Sequence, residues 1–274
     1  MYLIAAEENH SCRVWQMIAL IDADILAYQA ASTSEKAIQW DDDLWTLHAF
    51  ESEAKQHFDN MVKTITEKAG CHSHVLCWTD SENWRKSVLP SYKSNRVATR
   101  KPIVLSEIRK WAQENYESRI IPTLEGDDIL GLMATDPTMK NKVIVCTIDK
   151  DLKTIPGNHY NFAKDEFFSV SVHEANLYHM TQALTGDATD GYKGCPGIGA
   201  VTAKKIFDAV IEEATPWANQ QQLDELLWAA VVKTYAKAGL GEEEALVQAQ
   251  VARILRFGEY AFKQQKVKLW NPAT

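Results

Sequence analysis

The sequence predicts an α/β fold in which a mainly parallel twisted sheet is flanked by helices and is followed by a helical C-terminal half. Two observations predict it. Short apolar segments alternate with helical patterns as far as residue 162, and beyond that point helical patterns take over. Four short segments are rich in β-forming residues and are followed by polar breaks. We therefore expect strands at Met17–Ile21, His74–Trp78, Arg119–Leu124 and Lys142–Ile148.

Apolar residues at helical spacing predict helices between these strands and after them. The expected helices between the strands are Asp43–Lys68, Ser106–Tyr116 with Ser106 as its N-cap, and Ile129–Ala134. Those expected in the C-terminal half are Glu174–Thr185, Ala200–Glu213, Leu223–Ala238 and Glu242–Arg256. The glycine-rich stretch Gly186–Gly199 cannot itself be a regular element. Residues 1–16 show no clear period, which predicts an N-terminal extension.

The overall composition is that of an ordinary globular protein, with 46% hydrophobic and 24% charged residues among 274. Apolar runs all fall short of the roughly 20 residues that a membrane-spanning helix needs, and the N-terminus lacks the layout of a secretory signal. We therefore expect a cytoplasmic protein with no membrane association. The 5 cysteines include no C-x-x-C pair, which favours reduced thiols.

Charge is distributed unevenly along the chain. The formal net charge of −8 by itself argues against a nucleic-acid partner. The segment from residue 85 to residue 101, however, contains basic residues and no acidic one: Arg85, Lys86, Lys93, Arg96, Arg100 and Lys101. Such a segment is either a solvated loop or a site for a phosphate backbone.

Acidic residues follow each of the four predicted strands. Asp22, Asp80, Glu125 and Asp149 occupy these positions, and further acids adjoin them: Asp127, Asp128, Asp151, Asp187 and Asp190. Because ligands of open parallel sheets bind at the carboxyl ends of the strands, we expect these side chains to converge at one edge. The simpler alternative, that an acid after a strand is only a helix N-cap, explains any one of them and is our interpretation of Asp24.

A cluster of this density must bind cations or remain partly protonated. Two carboxylates about 4 Å apart repel by about 4 kcal/mol at an effective dielectric constant of about 20. Oxygen ligands without His or Cys favour Mg²⁺ or Mn²⁺ over zinc. Two such ions suit the attack of water on a phosphodiester, one by lowering the pKa of the water and the other by neutralising the leaving oxygen.

The same residues lie in motifs that resemble a known family, the flap-endonuclease-type 5′ nucleases, and most closely the 5′→3′ exonucleases of short-tailed phages. The motifs occur in family order: Leu20–Asp24, Trp78–Lys86, Tyr92–Arg96, Leu124–Asp128, Thr147–Ile155 and Gly186–Gly191. This resemblance implies that the nine acids named above are metal ligands or neighbours of ligands. It also implies a catalytic domain at residues 17–185 and a helical DNA-binding region at residues 186–274.

The resemblance further implies a helical arch at about residues 82–104 that guides single-stranded DNA. Lys93 and Arg96 would then be catalytic residues that stabilise charge on the scissile phosphate. Other basic residues of the segment would contact DNA, namely Arg85, Lys86, Arg100 and Lys101. Tyr28 and Tyr92 correspond to positions for base stacking, although Tyr28 suits a helix core equally well.

A second DNA-contacting segment resembles a helix-hairpin-helix. It comprises Gly197 and Gly199, whose backbone N–H groups would bind a phosphate, followed by Lys204 and Lys205. A monovalent cation at the hairpin is an open possibility, as is a plain chain turn. The expected substrate is DNA with a free 5′ end or a 5′ flap, and RNA–DNA hybrids and replication proteins remain open as further partners.

Two rival functions remain to be separated from the nuclease. A haloacid-dehalogenase-type phosphatase would use the Asp-x-Asp pattern at Asp22 as a nucleophile, but it leaves the basic segment without a role. A non-catalytic DNA-binding protein would use only the basic segment and the hairpin. A zinc site built from residues 71–77 is not expected, because its Cys and His spacing matches no closed structural site.

Overall fold

A computed structural model describes residues 17–96, 99–214 and 218–272. The predicted N-terminal extension and two residues of the predicted arch lie outside these ranges. The strands are β1 (Ile18–Asp22), β2 (Glu35–Asp41), β3 (Leu44–Ala49), β4 (Ser73–Trp78), β5 (Ser118–Ile120), β6 (Val143–Cys146), β7 (Gly157–Asn161), β8 (Glu166–Val170), β9 (Tyr260–Ala261) and β10 (Lys266–Val267). The helices are α1 (Ala23–Thr33), α2 (Glu51–Lys68), α3 (Arg85–Val88), α4 (Leu105–Asn115), α5 (Gly126–Ala134), α6 (Val172–Thr185), α7 (Ala200–Glu213), α8 (Gln220–Lys237) and α9 (Glu242–Ala252).

The central sheet confirms the predicted fold class. In the described part of the chain its strand order is β5-β4-β1-β6-β7-β8. All neighbouring pairs from β5 to β7 are parallel, and β8 alone runs antiparallel to its neighbour. Strands β1, β4 and β6 lie in the middle of the sheet, so the residues at their carboxyl ends lie side by side.

Alternate residues of the central strands pack into separate apolar layers on the two faces of the sheet. Ile21 and Leu76 join a cluster with α1, α2 and α4, which includes stacked rings of Phe58 and Trp78. Leu20 belongs to a second cluster with α5 and with residues 254–267. Burial on both faces explains why these strands are continuous apolar runs.

The predicted helix Asp43–Lys68 is wrong in its first part. Residues 44–49 form β3, which pairs with β2 through a short connection at Asp42 and Asp43, and α2 begins only at Glu51. The alternation of Trp45 and Leu47 with polar residues also fits a strand, and the Trp40 Nε1 group donates across the hairpin to Thr46 Oγ1 at 2.6 Å. The apolar spacing of residues 44–49 fits both a helix and a strand, and pairing with β2 makes the segment a strand.

Other predicted element boundaries also moved. The strand expected at Arg119–Leu124 ends at Ile120, because Pro122 cannot donate to a strand ladder and Leu124 N–H closes a turn onto Ile121. Ser106 is not the N-cap of α4, since Val104 holds that position and the Ser106 hydroxyl donates to Glu107. Beyond residue 162, strand β8 was missed. It is an edge strand, and its Phe167 ring stacks on Tyr160 at 4.5 Å between centroids.

The four helices predicted for the C-terminal half are present, and the bounds of α7 coincide with the expected helix. Helix α9 ends at Ala252 instead of Arg256, and the short strands β9 and β10, which were not predicted, follow it. A third apolar cluster joins α6 to α7, α8 and α9. The predicted domain boundary between residues 185 and 186 stays a prediction. Helix α6, which precedes this boundary, packs on α7, α8 and α9, which follow it. Among the described residues, every helix is too short or too polar to cross a bilayer.

Candidate active site

A cavity of about 170 Å³ opens at the carboxyl ends of β1 and β6. Acids from four separate parts of the chain line it, namely Asp22, Asp24, Glu125, Asp127, Asp149, Asp151 and Asp190. The cavity is also lined by the basic side chains of Arg85, Lys93 and Arg96. The structure therefore brings together most of the acids and both of the basic residues that the sequence singled out for chemistry.

Asp22 is the last residue of β1 and the N-cap of α1. Its Oδ1 accepts from the Ile25 N–H at 3.4 Å, and its Oδ2 accepts from the Thr147 hydroxyl at 3.1 Å. Thr147 follows β6, and its Oγ1 in turn accepts from the Asp149 N–H at 3.0 Å. This hydroxyl joins the two central strand ends and holds Asp22 and Asp149 at the same edge.

Asp24, which we expected to be the helix cap, lies in the first turn of α1 instead. Its Oδ1 pairs with Arg109 at 2.7 Å and its Oδ2 accepts from the Thr79 N–H at 2.7 Å. The cap prediction was wrong because Asp22, two residues earlier, already supplies the capping oxygen. Asp24 is thus an acid of the cavity wall that also ties α1 to α4.

Glu125 and Asp127 reach the cavity from the start of α5. This helix begins close against β4, since a Cβ on Gly126 would lie 3.1 Å from the Cys77 carbonyl oxygen. Glycine there allows the helix N-terminus, with its partial positive charge, to approach the strand end. The local sequence Glu-Gly-Asp therefore delivers two carboxylates to the site from one short turn.

Asp149 and Asp151 enter from the turn after β6. Asp149 caps a short 3-10 helix, Lys150–Thr154, by accepting from the Asp151 N–H at 2.8 Å. The Asp151 Oδ1 atom is buried and has no hydrogen-bond partner among the described residues. A buried carboxylate oxygen without a donor is costly, so this position suits a cation or a water bound to one.

Crowding of the acids changes their protonation. Burial, with the nearby charge of Asp24, raises the pKa of Asp22 to about 7. Burial, followed by Asp149, likewise raises the pKa of Asp151 to about 7. The pKa of Asp127 is raised well above its ordinary value by burial and by Asp22 and Asp149. Deprotonating the whole cluster therefore requires positive charge inside the cavity.

Lys93 supplies part of that charge. Its Nζ lies 2.5 Å from Glu125 Oε1 and 3.7 Å from Asp190 Oδ2. Burial alone would lower the pKa of Lys93, but the two carboxylates outweigh it and raise that pKa. Lys93 has a left-handed backbone with φ of 53°, and its N–H donates to the Asp190 carbonyl at 2.8 Å. The glycine-rich stretch thereby fixes the lysine in the site.

Arg96 lies beside Lys93 on a 3-10 turn, Ser94–Arg96. Its guanidinium donates to Asp190 Oδ1 at 2.6 Å and to the Thr189 carbonyl oxygen at 3.2 Å. The side chain is about half exposed, so it can also reach a ligand at the mouth of the cavity.

Arg85 and Asp128 form a buried ion pair, which contradicts the DNA contact predicted for Arg85. The Arg85 side chain is 2% exposed and Asp128 is fully buried. The five N–H groups of Arg85 donate to Asp128, Glu125 and the carbonyl oxygens of Val251 and Arg253. Arg85 cannot contact DNA, although its guanidinium edge reaches the cavity wall.

The carboxylate of Asp128 also accepts several hydrogen bonds. Besides Arg85, it accepts from the Trp84 Nε1 group at 3.0 Å and from the backbone N–H groups of Glu125 and Leu255, each at 3.2 Å. Asp128 is therefore a structural anchor beside Glu125, and its predicted place as a metal ligand or a neighbour of one stays a prediction. The pair attaches the C-terminal segment to the floor of the site.

Tyr92 was expected to stack on a base, and its burial contradicts this. The side chain is 2% exposed, and its hydroxyl donates to Glu125 at 3.0 Å and to Asp190 at 2.9 Å.

Asp80 does not line the cavity. Its carboxylate accepts from the Thr123 N–H at 2.8 Å and from the Ser81 hydroxyl, so it closes a loop instead of joining the acids.

Asp187 lies beside the cavity lining. Its Oδ1 accepts from the Thr189 N–H at 2.7 Å, its Oδ2 pairs with Lys150 at 3.4 Å, and its charge helps to raise the pKa of Asp151. It therefore shapes the glycine-rich stretch next to the acids.

The predicted DNA contacts are mostly exposed. Tyr28 is 47% exposed on α1, and Lys86 and Lys101 are exposed in the arch segment. Arg100 pairs with Glu35 of β2 at 2.7 Å. The described part of the arch segment contains the four-residue helix α3 and the 3-10 turn, with residues 97–98 outside the description.

The hairpin segment precedes α7. Gly197 has a φ of +76°, Gly199 is the N-cap of α7, and both face open space. Lys204 and Lys205 follow on exposed helix positions, with Lys204 paired to Asp208 at 2.7 Å. This arrangement leaves backbone N–H groups accessible at a helix N-terminus.

Sequence reasoning missed several groups of the cavity wall, namely Gln182, Tyr192 and the segment from Val251 to Ile254. No motif marks them, because they come from α6, the glycine-rich stretch and the end of α9, which only the folded chain brings together. Asp24 could have been assigned to the site from its place in the Asp-x-Asp pattern.

The donors present fit a hard divalent cation. Within residues 17–96, 99–214 and 218–272, no three acid, His or Cys side chains converge tightly enough to enclose an ion by themselves. Mg²⁺ does not need such a cage, because it keeps several waters and is bound through one or two carboxylates. The oxygen-rich wall and the unpartnered Asp151 oxygen match that mode of binding.

Comparisons of the sequence with known proteins identify relatives along nearly the whole chain. Residues 17–182 match the family model described as 5′-3′ exonuclease, N-terminal resolvase-like domain. The chain is 34% identical to the exodeoxyribonuclease of Enterobacteria phage T3 and 32% identical to the exonuclease of Escherichia phage T7, with 93% of both chains covered in each case. It is 25% identical to flap endonuclease Xni of Aeromonas hydrophila, covering 76% of this chain and 82% of that one.

Solved structures share the fold. The phage T5 5′-exonuclease with bound zinc ions has a TM-score of 0.55 at 14% identity, covering 87% of this chain and 99% of that one. The phage T5 flap endonuclease in a pseudo-enzyme–product complex with DNA and metal ions has a TM-score of 0.53 at 15% identity, covering 86% and 93%.

Proposed function

This chain belongs to the 5′→3′ exonuclease family and is a phosphodiester-hydrolysing nuclease, and from that premise we propose that it degrades DNA from free 5′ ends and at 5′ flaps with Mg²⁺ bound at the acidic cavity. One observation carries the proposal. Seven acids from distant parts of the chain meet at one sheet edge, beside Lys93 and Arg96. The family membership disfavours both the phosphatase and the purely DNA-binding alternative.

Asp22, Glu125, Asp127, Asp149, Asp151 and Asp190 are the proposed holders of the cations, which we take to be two Mg²⁺ ions that Mn²⁺ can replace. Bound cations of this kind activate water and neutralise charge on a phosphodiester. The protein's part is to orient these carboxylates. Thr147 and the two N-cap turns do so for Asp22 and Asp149.

Lys93 and Arg96 are the proposed phosphate-binding groups. In the structure they pair with Glu125 and Asp190, which neutralises these acids. With these carboxylates holding cations, the two side chains would be free to turn towards the phosphate. Arg96 can then bind two phosphate oxygens at once, and Lys93 supplies a point charge from a partly enclosed site.

DNA flanking the cavity is proposed to contact exposed groups on two sides. Lys86, Arg100 and Lys101 lie in the arch segment, and Tyr28 offers an exposed ring for stacking. The helix N-terminus at Gly197 and Gly199, followed by Lys204 and Lys205, suits a duplex phosphate, with a monovalent cation as a further ligand. RNA–DNA hybrids as substrates and replication proteins as partners belong to the same proposal.

A labelled-substrate assay tests this function. A 5′-labelled duplex, with blunt, recessed and flapped forms compared, is incubated with Mg²⁺ and with a chelator. We expect release of short labelled products only with Mg²⁺. An intact label in Mg²⁺, or equal release in the chelator, would contradict the proposal. Hydrolysis of a small phosphomonoester without cleavage of DNA would instead support the phosphatase.

Replacing Lys93 by alanine should slow cleavage much more than it weakens DNA binding. The Lys93 ammonium group is largely enclosed and faces Glu125 and Asp190, so its charge acts where water is largely excluded. We expect kcat to fall by about 100- to 1,000-fold. Single-turnover cleavage and equilibrium DNA binding measure the two effects separately.

Lys86→Ala is the matched comparison, because Lys86 is an exposed lysine of the same segment. It should change KM for DNA with little change in kcat. If Lys93→Ala and Lys86→Ala altered kcat equally, Lys93 would be only a surface charge.

Stabilisation of the protein by Mg²⁺ should increase with pH. In the metal-free protein, the pKa values of Asp22 and Asp151 are about 7, above the ordinary value of 3.8. The folded state therefore holds more protons than the unfolded state from about pH 4 to about pH 7, and stability from these groups is lost as pH rises through that window. Mg²⁺ binds the ionised carboxylates and offsets this loss.

Thermal unfolding with and without Mg²⁺, at several values from about pH 5.5 to about pH 8, measures the effect. The increase in Tm caused by Mg²⁺ should be small at the acid end and largest at the alkaline end. Sodium chloride at matched ionic strength serves as the control. An increase that does not depend on pH would argue against ion binding at Asp22 and Asp151.

A further inference from the structure

Gln182 is a polar residue of the acidic cavity that the proposed chemistry does not use. It lies on α6, is 7% exposed, and lines the cavity together with Asp151 and Asp190. Its side-chain carbonyl oxygen, Oε1, is buried and has no hydrogen-bond partner among the described residues. Leaving a buried acceptor unpaired destabilises the folded protein. An amide in this position therefore calls for a ligand that supplies the missing contact.

A second orphaned acceptor in the same cavity narrows the choice of ligand. Asp151 Oδ1 is also buried without a partner in the described part of the chain. Both orphans are oxygen acceptors, and neither accepts a hydrogen bond from the described residues. A cation, or a water held by a cation, satisfies two oxygens at once. An anion would add repulsion to both.

The charge of the wall explains why an amide suits this place. The cavity already has seven acids and three basic side chains. Another carboxylate would add repulsion to the acids that already line the cavity. An amide carbonyl is a hard oxygen ligand of the kind that Mg²⁺ and Ca²⁺ accept, and it adds no charge.

We propose that the side-chain carbonyl of Gln182 is an additional oxygen ligand, direct or through one bound water, for the divalent cation held beside Asp151. The inference rests on the proposed function, since it places Gln182 at the same cation. It assigns a ligand to α6, the helix that packs on the C-terminal helices. Cation binding would therefore also depend on the position of α6 against those helices. The competing role is donation by the Gln182 NH₂ group to a phosphate of the DNA.

Ion binding measured without DNA separates these roles. Mn²⁺ affinity by electron paramagnetic resonance and Mg²⁺ affinity by calorimetry are compared for the wild type, Gln182→Met and Gln182→Glu. Methionine keeps the length of the side chain and removes its hydrogen-bonding groups. We expect Gln182→Met to bind the ions about 10- to 100-fold more weakly. Gln182→Glu, which keeps an oxygen, should bind them at least as tightly as the wild type.

Gln220→Met is the matched control. Gln220 donates to Asp224 on its own helix and does not line the cavity, so its replacement should leave ion affinity unchanged. Metal-free thermal unfolding shows that each variant folds. It should show no loss for Gln182→Met, since the substitution removes an unpaired buried acceptor. A purely structural role would instead lower that Tm.

Two results would overturn the inference. One is wild-type ion affinity in Gln182→Met, and the other is an equal loss of ion affinity in Gln182→Met and Gln182→Glu. Weaker DNA binding by both variants with unchanged ion affinity would assign Gln182 to the phosphate. Failure of the wild type to bind ions or to cleave DNA would count against the proposed function itself, so the two failures are distinguishable.

Discussion

Asp149→Ala is expected to abolish cleavage while DNA binding is preserved. Asp149 follows the central strand β6, lines the cavity, and its charge contributes to the raised pKa values of Asp22, Asp127 and Asp151. Loss of a proposed ligand removes several kcal/mol of transition-state stabilisation, which corresponds to a kcat lower by about 1,000-fold or more. The negative charge that faces the phosphates falls at the same time, so affinity for DNA should not decrease.

Asp149→Asn distinguishes the loss of the negative charge from the loss of the helix cap. Asp149 also caps the 3-10 helix by accepting from the Asp151 N–H, and asparagine retains such an acceptor. Both variants should be inactive, whereas only the alanine variant should lose about 1 kcal/mol of stability. Single-turnover cleavage, DNA binding and thermal unfolding measure the three effects.

Asp80→Asn is the second comparison, because Asp80 follows a strand like Asp149 but lies outside the cavity lining. It should retain most of the cleavage activity. Full turnover by Asp149→Asn, or equal losses from Asp149→Asn and Asp80→Asn, would remove Asp149 from the proposed ligands.

The central sheet and the acids at its edge were predictable for a physical reason. Strands buried on both faces must be continuous apolar runs, so β1, β4 and β6 stand out from the sequence. The residue at which such a run ends is also the residue at the sheet edge. Asp22 and Asp149 therefore reveal their location by their place after an apolar run, without any knowledge of the rest of the fold.

The β2–β3 hairpin could not be predicted in the same way. Its strands are short and largely solvent-exposed, with Trp40, Leu44 and Trp45 more than half exposed. Without a buried face, the alternation that marks a strand is weak, and the apolar residues of 43–50 also fit a helical period. Only the pairing of the two strands decides the structure.

Arg85 and Tyr92 were assigned to the wrong partners because their burial depends on distant segments of the chain. The carbonyl oxygens that Arg85 binds belong to residues 251 and 253, and the backbone N–H at Asp128 comes from Leu255. Charge and spacing near residue 85 contain no sign of that segment. The local sequence therefore does not distinguish a basic residue that binds DNA from one that pairs with an acid in the core.

Arg85→Met should destabilise the protein by about 3–5 kcal/mol, because it leaves Asp128 as a buried carboxylate without its cation. Three other donors to Asp128 remain, from Trp84, Glu125 and Leu255, and they limit the loss without neutralising the charge. The two carbonyl oxygens of the C-terminal segment also lose their donor. Urea denaturation followed by circular dichroism measures the free energy of unfolding.

The double variant Arg85→Met/Asp128→Asn distinguishes a buried ion pair from a DNA contact. Asparagine removes the unpaired charge and keeps an acceptor for Leu255, so the double variant should be more stable than Arg85→Met alone. Lys86→Met, at an exposed neighbouring position, should change stability by less than about 0.5 kcal/mol. If Arg85→Met were as stable as Lys86→Met and weakened DNA binding as much, the guanidinium would be reaching DNA rather than holding residues 251–255 beneath the acids.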